Sequence, residues 1–198
     1  MNLFGFLYSI IIIVIILSSC KEQVYNPKPR TYPKVMLPEK NYYLYKPKEC
    51  PFEFKIPTYS MYEKDSTFFD TLAGPCWFNI YYKDFNAKLY CTYTQIENKN
   101  ELTKSIQETY KLVKGHLIRA DYIDEYPVKL PNKLTGIIYE IEGPSATPFQ
   151  FYLTDSSNHF IRGSLYFNTR INPDSLAPYY EFTKLDVVEM IYSFEFKK

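Results

Sequence analysis

The alternation of apolar and polar side chains supplies the first outline of the chain. Phe52, Phe54 and Ile56 alternate with Glu53 and Lys55, the period-two pattern of a half-buried strand. Residues 57–75 carry no period and end in Ala73-Gly74-Pro75, a turn signal. A dense strand is predicted over Cys76–Tyr82, with a short turn, Lys83 to Asn86, leading to a hairpin partner over Ala87–Thr94. Leu102, Ile106, Tyr110, Val113, Leu117 and Ala120 then recur at spacings of three and four, with Lys and Glu opposite and Asn98 or Asn100 available as a cap. Strands follow over Leu134–Glu142, Phe149–Thr154 and His159–Asn168, the last two joined by the turn sequence Asp155 to Asn158. A second helix starts near Pro173-Asp174, with Leu176, Tyr180, Val187 and Ile191 along one side, and Ser193–Phe196 forms the tail. Hairpin-linked strands pair antiparallel. The expected fold class is therefore α+β, an antiparallel sheet flanked by two amphipathic helices.

The first residues follow a different rule. Met1 to Leu17 holds no charged side chain, and Ile10 to Leu17 is one apolar run, the length of a signal-peptide core rather than a membrane span. It stops at Leu17-Ser18-Ser19-Cys20, which resembles the lipobox of bacterial lipoprotein signal peptides. That resemblance implies cleavage before Cys20 and acylation of its thiol (palmitate). Because no Lys or Arg precedes the apolar run, an uncleaved anchor helix is the competing reading. Residues 20–49 contain Pro27, Pro29, Pro33, Pro38 and Pro47 and read as an extended tether, although Tyr42–Tyr45 is apolar enough to lie on a domain surface. Three regions are expected: 1–19 signal peptide, 20–49 lipid-anchored Pro-rich tether, 50–198 globular domain.

Composition narrows the chemistry. A net charge of +1 gives no field suited to a nucleic acid partner. Twenty-one Tyr and fifteen Phe against six Gly suit a pleated, half-buried surface and leave amphipathic rings for contacts. In an oxidising compartment one disulfide is expected. Cys50 and Cys76 are the chosen pair, because both adjoin Pro at segment edges, while Cys91 sits mid-strand as a small hydrophobe. The absence of a CxxC pair and the wide separation of His116 and His159 predict no metal site, and no glycine pattern predicts a phosphate or other cofactor. Ser164, His159 and Asp155 could be written as a triad, but Ser164 lacks a nucleophile elbow and falls mid-strand. Glu140 and Glu142 are neighbours on one strand face and read as a solvated edge rather than a catalytic pair. By period two, Phe160, Arg162, Ser164 and Tyr166 share a face, and Gln150, Tyr152 and Thr154 share the matching face of the preceding strand. Tyr152, Arg162 and Tyr166 are therefore the candidate interaction surface, of residue types that dominate protein interfaces. The alternative is that the second helix covers this face and Arg162 pairs with Glu181 or Asp186.

In element order the chain is similar to PsbP-like α-β-α sandwiches. Its residues match a more specific pattern. Cys20, Asn26-Pro-Lys-Pro29, Tyr32-Pro-Lys34, Cys50-Pro-Phe52, Cys76-Trp77, His116 to Asp121 and Ile138-Tyr-Glu140 lead to Phe151-Tyr-Leu-Thr-Asp-Ser156 and His159-Phe-Ile-Arg-Gly-Ser-Leu-Tyr-Phe167. Together these resemble the gliding motility lipoprotein GldD of the Bacteroidetes, with Thr58 to Gly74 as a local departure. The resemblance implies a cell-envelope lipoprotein, lipid-anchored with its folded domain outside the cytoplasm, in the periplasm. It implies no enzymatic activity and no cofactor, and a role in gliding motility and type IX protein secretion. Partners would be other envelope proteins of that machinery, besides the membrane that holds the lipid. Only Cys20 carries across as a site. The alternative class is a small-ligand-binding or weakly enzymatic envelope lipoprotein, using a pocket with converging polar groups.

Overall fold

The computed structural model describes residues 35–65, 74–169 and 173–197. The Cys20 motif and the first part of the expected tether lie outside the described residues. In chain order the strands are β1 (Tyr42–Tyr45), β2 (Phe52–Pro57), β3 (Met61–Lys64), β4 (Phe78–Tyr82) and β5 (Ala87–Gln95), followed by helix α1 (Lys99–Lys114). After it come β6 (Tyr122–Lys129), β7 (Thr135–Glu142), β8 (Phe149–Thr154), β9 (His159–Phe167), helix α2 (Pro173–Ser193) and β10 (Glu195–Phe196). Seven strands form one antiparallel sheet in the order β3-β4-β5-β9-β8-β7-β6, and β1-β2-β10 form a small second sheet. The α+β class and the two flanking helices stand as the periodicity predicts.

Local chemistry sets the connections. Asn86, at φ 47°, closes the β4–β5 turn in the left-handed region that Asn tolerates. In the β8–β9 turn the Asp155 carboxylate accepts hydrogen bonds from the backbone N–H groups of Ser157, Asn158 and His159 at 2.9–3.0 Å. Burial pushes the pKa of Asp155 up, but these donors prevail and hold it below the usual carboxylate value. Asn98 caps α1 by accepting from the N–H groups of Asn100 and Glu101, and the Glu101 carboxylate accepts from the N–H of Glu97, the residue before the cap. The α-helical pattern stops at Lys114 and tightens into a 3-10 turn, Gly115–Ile118. Leu102, Ile106 and Val113 face the sheet as expected, whereas Tyr110 and Leu117 are exposed.

The two sheet faces bury different things. Ile161, Leu165 and Phe167 of β9 and Phe149, Phe151 and Leu153 of β8 join Val187, Met190 and Ile191 of α2 in the main core. The small sheet enters the same core through Phe52 and Phe54, whose rings lie 5.1–5.5 Å from those of Phe78 and Phe194. Each buried Phe contributes roughly 2–3 kcal/mol. Cys50 and Cys76 are disulfide-bonded, with Cα atoms 5.6 Å apart, and pin the entry of β2 to the entry of β4. Closing that loop constrains the unfolded chain by about 3 kcal/mol. Cys91 is buried and free, and burial pushes its thiol pKa far up, so it is unreactive. Among the described residues no helix is long and apolar enough to cross a membrane.

Three expectations change. Tyr42–Tyr45 is a strand paired with β2, and Lys40 reaches α2, so the folded part starts before the boundary expected at Cys50. The stretch read as irregular contains β3, an edge strand. The segment left unassigned before Leu134 is β6, the opposite edge.

Candidate functional site

Helix α1 lies across β8 and β9 on the face turned away from α2. Beneath it Tyr152 stacks on Phe160, with ring centroids 5.3 Å apart, among Ile96, Val113 and Tyr139. Tyr152 is 7% exposed, and the surface expected from Tyr152, Arg162 and Tyr166 is thereby divided. The period-two reading placed all three on one face, as the register Tyr152↔Arg162 shows. It could not show that a helix ends halfway across that face. Tyr166 stays 37% exposed, and Arg162 lies where cover gives way to solvent.

The second helix does not cover this face, and Arg162 does not reach its acids. Asp186 is fully buried on the far side of the sheet, where it pairs with Lys40 and accepts hydrogen bonds from the hydroxyls of Tyr42 and Tyr59, both at 2.7 Å. Glu181 lines a different cleft, with Glu140, Tyr180 and Asp174. Glu140 itself is held by Lys184 of α2 at 2.6 Å rather than standing at a solvated edge. The role of Asp186 is hidden in the sequence because an acid within an apolar helical stripe looks like ordinary surface until its partners, more than a hundred residues away, are known.

The open half of the α1 face is built from three cross-strand rows. Tyr81, Lys88 and Tyr166 are aligned across β4, β5 and β9; Asn79, Tyr90 and Ser164 form the next row; Thr92 and Arg162 follow. Lys88 lies 5.1 Å from the Tyr81 ring centroid and 6.0 Å from that of Tyr90, and its charge is answered by Glu63 at 2.9 Å. Tyr90 and Tyr166 meet edge to face at 6.2 Å. At the border with α1 this surface sinks into a cleft of about 400 Å³, rimmed by Tyr90, Tyr166 and Leu112 and floored by Arg162, Gln150 and His116. Leu112, on α1, is 51% exposed.

The polar floor is a short relay. Arg162 Nη2 donates to Gln150 Oε1 at 3.2 Å, Gln150 Nε2 donates to Thr147 Oγ1 at 3.2 Å, and the Thr147 hydroxyl lies 3.1 Å from His116 Nε2. Burial, and next the Arg162 charge, push the pKa of His116 down, which favours the neutral ring. Burial also lowers the pKa of Arg162, but a guanidinium starts so high that it stays charged. Arg162 Nε is buried without a hydrogen-bond partner, as is Asn79 Oδ1 on the neighbouring row. Among the described residues these two atoms are the buried side-chain polar atoms lacking a partner, and both lie on the open half of one face.

The other sequence candidates are scattered. Ser164 and His159 are five residues apart on one strand, which is roughly 16 Å and opposite faces. Asp155 is taken up by its turn, and His159 bonds Tyr93 at 2.7 Å and stacks on Phe196 at 4.7 Å. Asp155 and His159 line a cleft separate from that of Arg162, so the three do not meet in one pocket.

Among solved structures, the chain is similar to the solution structure of cyanobacterial PsbP (CyanoP) from Synechocystis sp. PCC 6803. The two are 10% identical with a TM-score of 0.49, and the match covers 86% of this chain and 99% of that one. None of the curated proteins matches it. The family model described as gliding motility lipoprotein GldD matches residues 22–196, a span that takes in every described element. The chain belongs to the gliding motility lipoprotein GldD family.

Proposed function

We propose that this lipoprotein acts as a non-catalytic assembly or scaffold component of the gliding motility and type IX secretion machinery, holding another envelope protein against the open half of its α1 face. The folded domain would stand on the periplasmic side of the membrane that holds the lipid on Cys20. The observation that carries the reading is Arg162, partly buried at the edge of a surface rich in Tyr, its Nε without a hydrogen-bond partner. Partly burying a charge without a counter-charge costs folding free energy, and a partner's carboxylate would offset that cost. Aromatic and Arg side chains around a partly desolvated centre are the composition of an interface hot spot. The dispersal of Ser164, His159 and Asp155 favours a binding role over hydrolysis by those residues.

Cells carrying Arg162→Ala or Tyr166→Ala are expected to stop gliding while keeping wild-type amounts of folded, membrane-associated protein. Colony spreading, single-cell gliding and immunoblots of membrane fractions read this out. Normal gliding by both variants would refute the proposed surface.

A further inference from the structure

The charges around the cleft are unequal in one respect. Lys88 on β5 is held by Glu63, and Lys114 on α1 is held by Glu125 at 3.1 Å. Among the described residues Arg162 has no such counterpart: its hydrogen bond runs to the neutral Gln150 amide, and Nε has no partner. No described carboxylate lies within ion-pair distance of it. A guanidinium offers donors in a planar fork, and the group that matches the fork is a planar carboxylate taken two oxygens at a time. A phosphate dianion would call for more positive charge than the floor supplies, because burial and the Arg162 charge favour the neutral form of His116, and Thr147 and Gln150 are uncharged. The rim fixes what must flank the anion: Tyr90, Tyr166 and Leu112 are apolar or amphipathic and would pack against side chains on either side of it.

We propose that the Arg162 cleft receives an acidic side chain of the partner protein, a Glu or Asp flanked by apolar residues in an extended segment, whose carboxylate pairs with the guanidinium. This rests on the partner-binding reading above and adds the chemistry of the group that is recognised. The guanidinium and the rim are then used together: the carboxylate meets the donors that face the cleft, and the flanking side chains cover the open rings.

The test uses the full-length lipidated chain in nanodiscs, labelled with 15N-arginine, and follows the side-chain Nε–H resonances of Arg30, Arg119, Arg162 and Arg170. Arg162→Lys assigns the resonance in question. The probes are acetyl-Ala-Glu-Phe-amide, its Gln counterpart, and inorganic phosphate. The expected result is a saturable shift of the Arg162 signal alone with the Glu peptide, at least tenfold weaker binding of the Gln peptide, and weaker binding still of phosphate. Equal binding of both peptides would show that the rim acts without the charge, and phosphate binding as tight as the Glu peptide would show a general anion site. Either result, or an unmoved Arg162 signal, overturns the proposal. Its failure is separable from that of the scaffold reading. Loss of gliding in Arg162→Ala without Glu-peptide binding keeps the partner and removes the carboxylate, whereas binding together with normal gliding does the reverse.

Discussion

Asp186→Ala is expected to destabilise the domain by about 3 kcal/mol or more, the cost typical of breaking a buried, hydrogen-bonded charge pair from one side. The carboxylate is fully buried and ties three pieces of chain together: α2 itself, the segment carrying Lys40 and Tyr42, and Tyr59 of the loop after β2. Burial first, and then the hydrogen bond to Asp186, push the pKa of both Tyr42 and Tyr59 upward, so both hydroxyls remain protonated donors at any physiological pH. Lys40 also donates to the Phe182 carbonyl at 2.9 Å and sits 3.7 Å from that ring's centroid, so part of its anchorage outlasts the loss of the carboxylate. Removal of Asp186 would leave two part-buried hydroxyls and an ammonium each short of a hydrogen-bond acceptor. A domain of this size has a margin of roughly 5–15 kcal/mol, so the loss is a large fraction of it. Urea denaturation of the variant beside the wild type checks the magnitude. Hydrogen exchange should show protection lost first in Lys40–Tyr45. An unchanged midpoint would mean that the network is dispensable.

Gly136→Ala is expected to cost about 3 kcal/mol by overpacking. A Cβ at Gly136 would stand 1.9 Å from the Tyr152 carbonyl oxygen and 3.1 Å from Leu153 Cδ2. The first of these is backbone, so no rotamer change relieves the conflict. Gly136 pairs with Val128 on one side and Leu153 on the other, so β7 could move only by loosening the ladder to β6 or β8. The displaced carbonyl belongs to the residue registered directly opposite Arg162. The variant should therefore lose stability and also disturb the cleft. Thermal unfolding measures the first effect; a shift of the Arg162 Nε–H resonance measures the second. Wild-type melting would contradict the close approach.

What could be read from the sequence divides along physical lines. Period-two alternation in β2 and β9 and period-3.6 spacing in the two helices were legible because each of these elements has one face more buried than the other, whereas β8 is buried on both faces and shows as a short apolar-rich run. Edge strands escaped. In β6, Asp124, Glu125 and Pro127 break the apolar pattern, and an edge tolerates and even favours such residues because one side of its ladder is unpaired. In β3, four residues with no buried position carry too little pattern to find. The extent of cover was illegible for another reason. Parity assigned Tyr152, Arg162 and Tyr166 to one face, but nothing local in the sequence says which helix lies there or that it stops short of Tyr166. The disulfide was readable from the Pro residues beside Cys50 and Cys76; the Asp186 network, spread between residues 40 and 186, was not.

The claim on which the rest depends is that the open half of the α1 face meets another envelope protein. Site-specific photo-crosslinking in gliding cells tests it most directly, with p-benzoylphenylalanine placed at Tyr166 or, as a control, at the exposed Tyr126 on edge strand β6. The account predicts a discrete adduct from position 166, lost when Arg162→Ala is added, and none from position 126. An adduct from position 126 with none from 166, or an adduct at 166 indifferent to Arg162, would contradict it.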